Sequence, residues 1–326
     1  MRGLRVSFTF IVGIGIMASM GSASNACPAQ GPTPATANPE IATLFKSLNR
    51  NTVWSQTQTI HLEFPSFHCQ GMAITPDRIF VSSVEILEPT VTYPQPRDGY
   101  DRSPGKGMGH VFVLDHSGKL VSDIKLIQGD KYHPGGIDYD GKHIWVPLAE
   151  YRPNSAATIF RIDAETLEAA QMFDANDHCG NVLYDHKAKM LVGGNWGSRS
   201  WTQWNLDGTE VHKWANPNFF IDYQDCQYIE SGMAACSGVS NLASPPADGS
   251  NTSTTAKYEL GGIDLVDLET HNLLSSIPIS KWSKNGHSVN RNPMKLLVAD
   301  SKLQMWVAPD DGEEPGGTDI LIFEAS

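Results

Sequence analysis

The segment HPGGI at residues 133–137 is one copy of a short motif that recurs along the chain. HCQGM (68–72) precedes it and HCGNV (178–182) follows it. Looser copies are DCQY (225–228) and GHSVN (286–290). Successive copies are separated by 65, 45, 47 and 62 residues. We call this repeat the His motif.

The segments that follow the His motif predict a β-propeller. Each copy leads into an apolar segment, a polar turn and a second β-rich segment, as in DYDGKHIWV at 138–146. A period of about 40–50 residues with about four strands is typical of a propeller blade. The two longest separations between motif copies contain long polar loops, so they need no additional blade. The five motif copies therefore indicate an all-β, five-bladed β-propeller. Six blades is the alternative.

The two ends of the repeat region are expected to pair with each other. Residues 318–324 form an apolar strand with no fourth strand after it, and residues 53–64 can supply the missing strand. Closure removes the exposed edges of an open repeat. We therefore expect the propeller to span 53–326, after a Pro/Ala/Thr-rich linker with a short helix at 27–52.

The first 26 residues are typical of a secretory signal peptide. Arg2 and Arg5 precede an apolar run at 6–18, and small residues at 24–26 form a cleavage site. The run is too short to span a bilayer. A lipoprotein acylated at Cys27 is the alternative. The expected location is extracellular or the lumen of the secretory pathway.

An oxidising compartment favours disulfide pairing of the five cysteines. Cys226 and Cys236 flank a predicted hairpin and could form a cross-strand pair. Cys179 could instead join Cys69 near the axis or Cys226 in the next blade, and buried free thiols are the remaining alternative. Asn251 heads the glycosylation sequon, which predicts a glycoprotein in a eukaryotic host.

Composition and charge narrow the expected partners. The formal net charge is −12, and it becomes −14 without Arg2 and Arg5. Such a surface repels polyphosphates, so no nucleic acid is expected as a partner. We expect no membrane partner either. A monomer or weak homo-oligomer that binds a small organic ligand is predicted.

Strand direction predicts which face carries the site. The first strand of a blade starts at the face of the propeller where the second strand ends. The motif residues, which open the first strands, therefore lie at the same mouth of the axial channel as the residues that end the second strands. The predicted catalytic residues are His68, His133, His178 and Glu150. The predicted substrate-binding residues are Glu85, Arg152, Asn195, Trp196, Arg199, Asp225 and His287. Loops 86–109 and 241–257 are expected to cover this face.

Several imidazoles at one mouth suit three kinds of chemistry. The four motif histidines (His68, His133, His178 and His287) could bind a divalent metal ion, or serve as general bases or hydrogen-bond donors. Glu85 or Glu150 could orient a histidine. A structural latch to the neighbouring blade is the alternative. Trp196 with Arg199 suits a flat organic ligand with a polar edge.

Other motifs indicate no further chemistry. The segment 99–106 approaches a phosphate-binding loop but has five residues between its glycines and Gly107 in place of Ser or Thr. An acidic turn follows the second strand of the last blade. It is either a calcium site or a solvated turn, and its acidic residues are Asp310, Asp311, Glu313 and Glu314.

The repeated His motif and the signal peptide resemble a family of uncharacterised secreted propellers of fungi and bacteria, over residues 53–326. More distantly the chain is similar to propeller lactonases and lyases, although the acidic calcium ligands of that class are not recognisable here. It also resembles, at the level of fold analogy, the fungal hetero-Diels–Alderases of tropolone sesquiterpenoid pathways.

Two functional classes follow. The first is a secreted enzyme acting on a small organic molecule at the His-lined mouth, either a secondary-metabolite cyclase or a lactonase or lyase. The second is a non-enzymatic extracellular protein that binds a ligand or carbohydrate. A deep pocket with converging polar groups favours the first class, and a filled channel favours the second.

Overall fold

The computed structural model describes residues 38–243 and 257–326. The predicted signal peptide, Cys27, most of the linker and the sequon at Asn251 lie outside these residues. The elements in chain order are α1 (Pro39–Ser47), β1 (Trp54–His61), β2 (His68–Ile74), β3 (Ile79–Glu88), β4 (Thr92–Arg97), β5 (Tyr100–Arg102), β6 (Lys106–Leu114), β7 (Leu120–Leu126), β8 (His133–Pro134), β9 (Asp138–Tyr139), β10 (His143–Ala149), β11 (Ala157–Asp163), β12 (Ala169–Ala175), β13 (Asn181–Asp185), β14 (Met190–Gly194), β15 (Ser200–Trp204), β16 (Glu210–Ala215), β17 (Asp222–Glu230), β18 (Met233–Ala243), β19 (Lys257–Asp267), β20 (Leu273–Ile279), β21 (Met294–Ala299), β22 (Lys302–Val307) and β23 (Asp319–Ala325).

Five antiparallel sheets form the five predicted blades. Blade one has the strand order β2-β3-β6-β7, and blade two has β10-β11-β12 with β8 and β9 both paired to β10. Blades three and four are β13-β14-β15-β16 and β17-β18-β19-β20. Blade five is β21-β22-β23-β1. The prediction of a five-bladed propeller is confirmed.

The predicted ring closure is also confirmed. Strand β1 pairs antiparallel with β23, from Trp54 opposite Ala325 to His61 opposite Asp319. Beyond these strands, Val53 and Ser326 exchange two backbone hydrogen bonds of 3.1 and 2.9 Å. Blade five therefore takes strands from both ends of the repeat region.

Helix α1 packs onto the ring rather than extending from it. Its N-cap is Asn38, whose side chain accepts a hydrogen bond from the backbone N–H of Glu40. The helix buries Ile41, Ala42 and Phe45 in a core cluster shared with blades four and five. Core clusters of this kind fill the spaces between successive blades.

The glycines of the His motif let neighbouring blades approach at the axis. Gly136 donates from its backbone N–H to the Gly180 carbonyl at 2.9 Å, and Val182 donates to the Gly136 carbonyl at 3.1 Å. A Cβ atom on Gly135 would lie 2.1 Å from the Gly180 oxygen. Only glycine fits there, so this part of the motif is a structural contact between blades two and three.

The centre of the channel holds buried acidic and basic side chains that have partners. Asp225 accepts backbone hydrogen bonds from Met72 (2.8 Å), Ile137 (3.1 Å) and Met294 (3.3 Å), which lie in or beside the inner strands of three other blades. Asp138 pairs with Lys295 at 2.8 Å, and both are buried. Burial raises the pKa of Asp225 well above its usual value. This network joins the inner strands across the axis.

One of the cysteine alternatives is confirmed. Cys226 and Cys236 occupy paired positions on β17 and β18 and form a disulfide with a Cα–Cα distance of 4.1 Å. Cys69 and Cys179 are buried free thiols, so the proposed pairs Cys69–Cys179 and Cys179–Cys226 are wrong. Within the described residues, no helix is long and apolar enough to cross a membrane.

A histidine-lined cavity as candidate functional site

A cavity of about 310 Å³ opens where the inner strands of blades one to four begin. Three of the four motif histidines line it. The lining residues are His68, Gln70, His133, Tyr151, His178, Gly180, Asn195, Trp196, Gly197, Asp222, Tyr223, Gln224 and Asn241. The predicted residues His68, His133, His178, Asn195 and Trp196 are thus brought together at the predicted mouth.

His133 is a buried, neutral imidazole in the wall of the cavity, and one of its nitrogens has no partner among the residues that the structure describes. Its ring stacks on Tyr151 at a centroid distance of 4.2 Å and is 6% exposed. Burial lowers its pKa well below the usual value, and the nearby imidazoles of His178 and His68 lower it further. Its Nε2 has no hydrogen-bond partner within the described part of the chain. Unpaired buried nitrogens are uncommon in folded proteins, and a ligand group or a water molecule would supply the missing partner.

His178 is fixed in one tautomer. Its Nδ1 lies 3.0 Å from the Glu150 carbonyl oxygen, which can only accept, so Nδ1 carries the proton and Nε2 carries the lone pair. Burial lowers the pKa of His178 to about 4. The ring meets the Trp196 ring edge-on at 4.9 Å. His178 therefore offers a neutral acceptor beside an aromatic surface.

His68 forms a carboxylate–imidazole pair. Its Nδ1 lies 2.6 Å from Oδ1 of Asp311, which belongs to the turn after β22 in blade five. Arg291 and Asn292 hold this carboxylate at 3.1 and 3.3 Å. Burial raises the pKa of Asp311, but the hydrogen bonds and positive charges of His68 and Arg291 outweigh burial and keep it below the usual value. An ionised Asp311 accepts a hydrogen bond from Nδ1 of His68 and so orients the imidazole ring.

A hairpin from blade one packs against residues in and beside the cavity lining. Strands β4 and β5 pair within the predicted flap 86–109. The Arg102 guanidinium lies over the Trp196 ring at 5.1 Å, and the Tyr100 ring packs against Arg152 at 3.5 Å. Cation–π contacts of this kind hold the hairpin against blades two and three. In the other predicted flap, residues 244–256 lie outside the described residues.

The remaining predicted site residues do not line the cavity. Glu150 binds Arg152 through its side chain at 2.5 Å. Glu85, on β3, lies 3.5 Å from Nε2 of His110 on β6. Arg199 pairs with Asp222, a lining residue, and covers Phe219. These charged groups contact neighbouring charges or rings and do not line the cavity.

Asp225 is a correction of a different kind. His68 and His133 are the first residues of their strands, whereas Asp225 is the fourth residue of β17. The motif copy in blade four is therefore shifted along the strand, and its carboxylate lies deeper, at the channel centre. Asp225 is a structural residue that accepts backbone N–H groups.

The four motif histidines do not form a metal site together. His287 lies between Glu259 (3.2 Å) and Glu314 (2.7 Å) and is not part of the cavity lining. Among residues 38–243 and 257–326, the three donors that lie within 4.8 Å of one another are His287, Asp310 and Glu314. The other three imidazoles each contact a different neighbour: His68 contacts Asp311, His133 stacks on Tyr151, and His178 meets the Glu150 carbonyl.

Sequence reasoning missed several lining residues. Tyr151 follows a predicted strand-two end directly, so the same topological rule could have found it. The sequence places Asp311 at the end of the second strand of the last blade, and thus on the same face, but nothing in the sequence pairs it with His68. The carboxamides of Gln70, Gln224 and Asn241 carry no motif signal.

Fold and cavity together define a propeller with a ligand-sized site at one end of its axis. The chain belongs to the family DUF6454, a family of unknown function, with the match covering residues 26–325. No curated protein matches the chain significantly.

The similar solved structures include three with low sequence identity. The tail fibre of Staphylococcus aureus phage P68 is 9% identical with a TM-score of 0.48, covering 87% of this chain and 55% of that one. The chain thus spans about half the length of the tail fibre. A luciferin-regenerating enzyme is 9% identical (TM-score 0.46; 85% and 95% covered). A gluconolactonase from Xanthomonas campestris is 10% identical (TM-score 0.43; 93% and 100% covered). Similarities at this level say nothing about the chemistry of the cavity.

Proposed function

We propose that this protein is a secreted acid–base enzyme that acts on an uncharged small organic molecule in the His-lined cavity. His68 is the general base and Asp311 orients it. The observation that carries this proposal is the 2.6 Å contact between His68 Nδ1 and Asp311, on a histidine that lines the cavity. Such a contact fixes the tautomer and stabilises the imidazolium formed when Nε2 takes a proton.

The surroundings favour an uncharged substrate with polar edges. His133 and His178 are neutral near pH 7 because burial lowers their pKa values. Asn195 and Gln224 add carboxamides that can donate and accept hydrogen bonds. Trp196 supplies an aromatic wall. A volume of about 310 Å³ lies at the small end of ligand pockets, which suits a compact molecule.

Lactone hydrolysis is the reaction that fits these groups best. His68 Nε2 takes a proton from water while the water oxygen attacks the carbonyl carbon. The tetrahedral intermediate then breaks its ring C–O bond, and His68 returns the proton to the leaving oxygen, which yields a hydroxy acid. Lyase chemistry would use the same base for a C–H proton. Cyclisation in the manner of a Diels–Alderase would need only the aromatic wall and the hydrogen bonds, without a base.

Secretion is part of the proposal and is supported by two observations. Residues 1–26 have the pattern of a signal peptide, and the chain contains the Cys226–Cys236 disulfide. Disulfides persist in exported proteins and are rare in the cytosol. Mass determination of the protein purified from culture medium would show whether cleavage follows Ala26.

The test compares two histidines that form the same contact. His61 Nδ1 also lies 2.6 Å from a carboxylate, that of Asp319, but His61 is exposed and does not line the cavity. We expect turnover of a neutral lactone such as dihydrocoumarin, with kcat/KM lowered about 10²–10⁴-fold in His68→Gln. His61→Gln should retain full activity. Equal activity of the two variants would contradict the role of His68.

A binding protein is the second candidate, favoured by the Nε2 of His133 that lacks a partner. The same cavity could hold a sugar or another neutral ligand without changing it. Saturable calorimetric binding of a neutral ligand, without turnover and with unchanged affinity in His68→Gln, would favour this function.

A further inference from the structure

A second cluster of ligand atoms lies next to the cavity in blade five. His287 precedes β21, and Asp310 and Glu314 belong to the turn that follows β22. One donor atom from each residue lies within 4.8 Å of the other two. The next residue after Asp310 is Asp311, the partner of His68.

Asp310 has an oxygen atom that the protein does not satisfy. The residue is 2% exposed, and its Oδ1 has no hydrogen-bond partner among the described residues. Burying a carboxylate oxygen without a partner is unfavourable, and buried carboxylates that stay ionised are paired with cations or coordinate metals. A cation bound beside this oxygen would supply the missing partner.

We propose that His287, Asp310 and Glu314 bind one divalent transition-metal ion, of which Zn²⁺ is the best fit. One imidazole and two carboxylates suit Zn²⁺ or Mn²⁺, whereas Ca²⁺ prefers oxygen ligands alone. Open coordination positions would be taken by water.

Charge and geometry are compatible with such an ion. Four carboxylates gather around the site, those of Glu259, Asp310, Asp311 and Glu314, and Arg291 is the cation in contact with three of them. Nε2 of His287 and Oε1 of Glu314 are 2.7 Å apart. Tetrahedral ligation at about 2.0 Å requires about 3.3 Å between ligands, so binding would replace this hydrogen bond with a small movement of side chains.

The site would hold the turn that carries Asp311. Oε2 of Glu314 already accepts a hydrogen bond from the backbone N–H of Asp311 at 2.9 Å. A metal on the other oxygen would fix Glu314 and thus the backbone of Asp311. This supporting role rests on the function proposed above, whereas the binding itself does not.

The experiment measures zinc binding without reference to turnover. The full chain is treated with a chelator, dialysed and titrated with ZnCl₂ by calorimetry, and its Tm is measured with and without Zn²⁺. We expect one equivalent to bind and Tm to rise, because an ion that binds only the folded state stabilises it. Asp310→Asn and Glu314→Gln should each lower the affinity at least 10-fold.

The matched control is Glu313→Gln, because Glu313 is an exposed acidic residue in the same turn. It should bind Zn²⁺ as the wild type does. Wild-type protein that binds neither Zn²⁺ nor Mn²⁺, or an Asp310→Asn or Glu314→Gln variant with wild-type affinity, would overturn the proposal. His68→Gln should keep its zinc affinity, so failure of the enzymatic proposal and failure of the metal site give different results.

Discussion

The channel centre and the cavity lie on the same inner strands, yet they treat polar groups in opposite ways. At the centre, Asp225 accepts three backbone hydrogen bonds and Asp138 pairs with Lys295. In the cavity, Nε2 of His133 has no partner among the described residues, and His178 is oriented through Nδ1 alone. The centre is therefore complete without a ligand, and the cavity is not.

The difference arises from position along the strand. Motif residues at the first position of a strand, such as His68 and His133, meet the open mouth. Asp225, three residues further into its strand, meets the backbones of the other blades. A motif residue near the mouth lies where a ligand could reach it, whereas one further along the strand contacts the backbones of other blades. We therefore expect the cavity and the channel centre to respond differently to mutation, pH and ligand.

Breaking the ion pair at the channel centre should have the largest effect. Replacing Lys295 with Met leaves Asp138 buried without its cation, since both side chains are less than 10% exposed. Removing one partner of a buried pair is destabilising by about 3–5 kcal/mol. Urea unfolding monitored by tryptophan fluorescence would measure the loss.

The control for this variant is Lys302→Met. Lys302 lies on the next strand and pairs with Glu324 on the surface, where an ion pair contributes about 0–1 kcal/mol. If the Lys295 variant proved as stable as the Lys302 variant, the channel centre would not hold the blades together.

Acid should destabilise the fold through the cavity. His178 has a pKa of about 4 in the folded state and about 6.5 when unfolded. As pH falls from about 6.5 to about 4, the unfolded chain takes up a proton at His178 that the folded chain does not. Stability is thus lost over this window, by about 3 kcal/mol from this residue.

The measurement compares urea unfolding of wild type and His178→Gln at pH 7 and pH 4.5. Glutamine can still donate to the Glu150 carbonyl but does not titrate. The variant should lose less stability on acidification than the wild type. Equal losses would show that His178 is not held neutral by burial.

The smallest effect on stability is expected at His133. Replacing it with Phe keeps an aromatic ring to stack on Tyr151 and removes the nitrogen that lacks a partner. Stability should change by less than about 1 kcal/mol, because no existing hydrogen bond to Nε2 is lost. Binding or turnover at the cavity should fall sharply. A large drop in Tm would make His133 a structural latch instead.

The sequence predicts the fold well because the fold repeats. Five copies of the His motif count the blades, and the strand at 318–324 without a successor predicts the pairing with 53–64. Both signals depend on periodicity and on strand edges, which are local properties of the chain. The Cys226–Cys236 disulfide can also be predicted locally, because the two cysteines flank one hairpin.

The sequence predicts the site only in part. Its geometry depends on how far each motif copy is shifted along its strand and on contacts between different blades. The repeat places His68, His133 and His178 at one mouth, but it does not show that Asp225 lies deeper or that His287 turns toward Glu314. The contact between His68 and Asp311 joins residues 243 positions apart in blades one and five. Such a pairing depends on how the ring closes, which no short motif encodes.

Ring closure has a consequence for the order of events during synthesis. Strand β1 leaves the ribosome first, but its partner β23 is 265 residues later, as measured from Thr57 to Ile322. At about 5–20 residues per second, β1 waits about 13–53 seconds for that partner. Its sequence WSQTQTIH suits this delay, because five successive residues between Trp54 and Ile60 stay exposed in the folded ring. A polar strand with only two buried side chains offers nascent neighbours little apolar surface, so the chain can keep its first strand unpaired until its last one arrives.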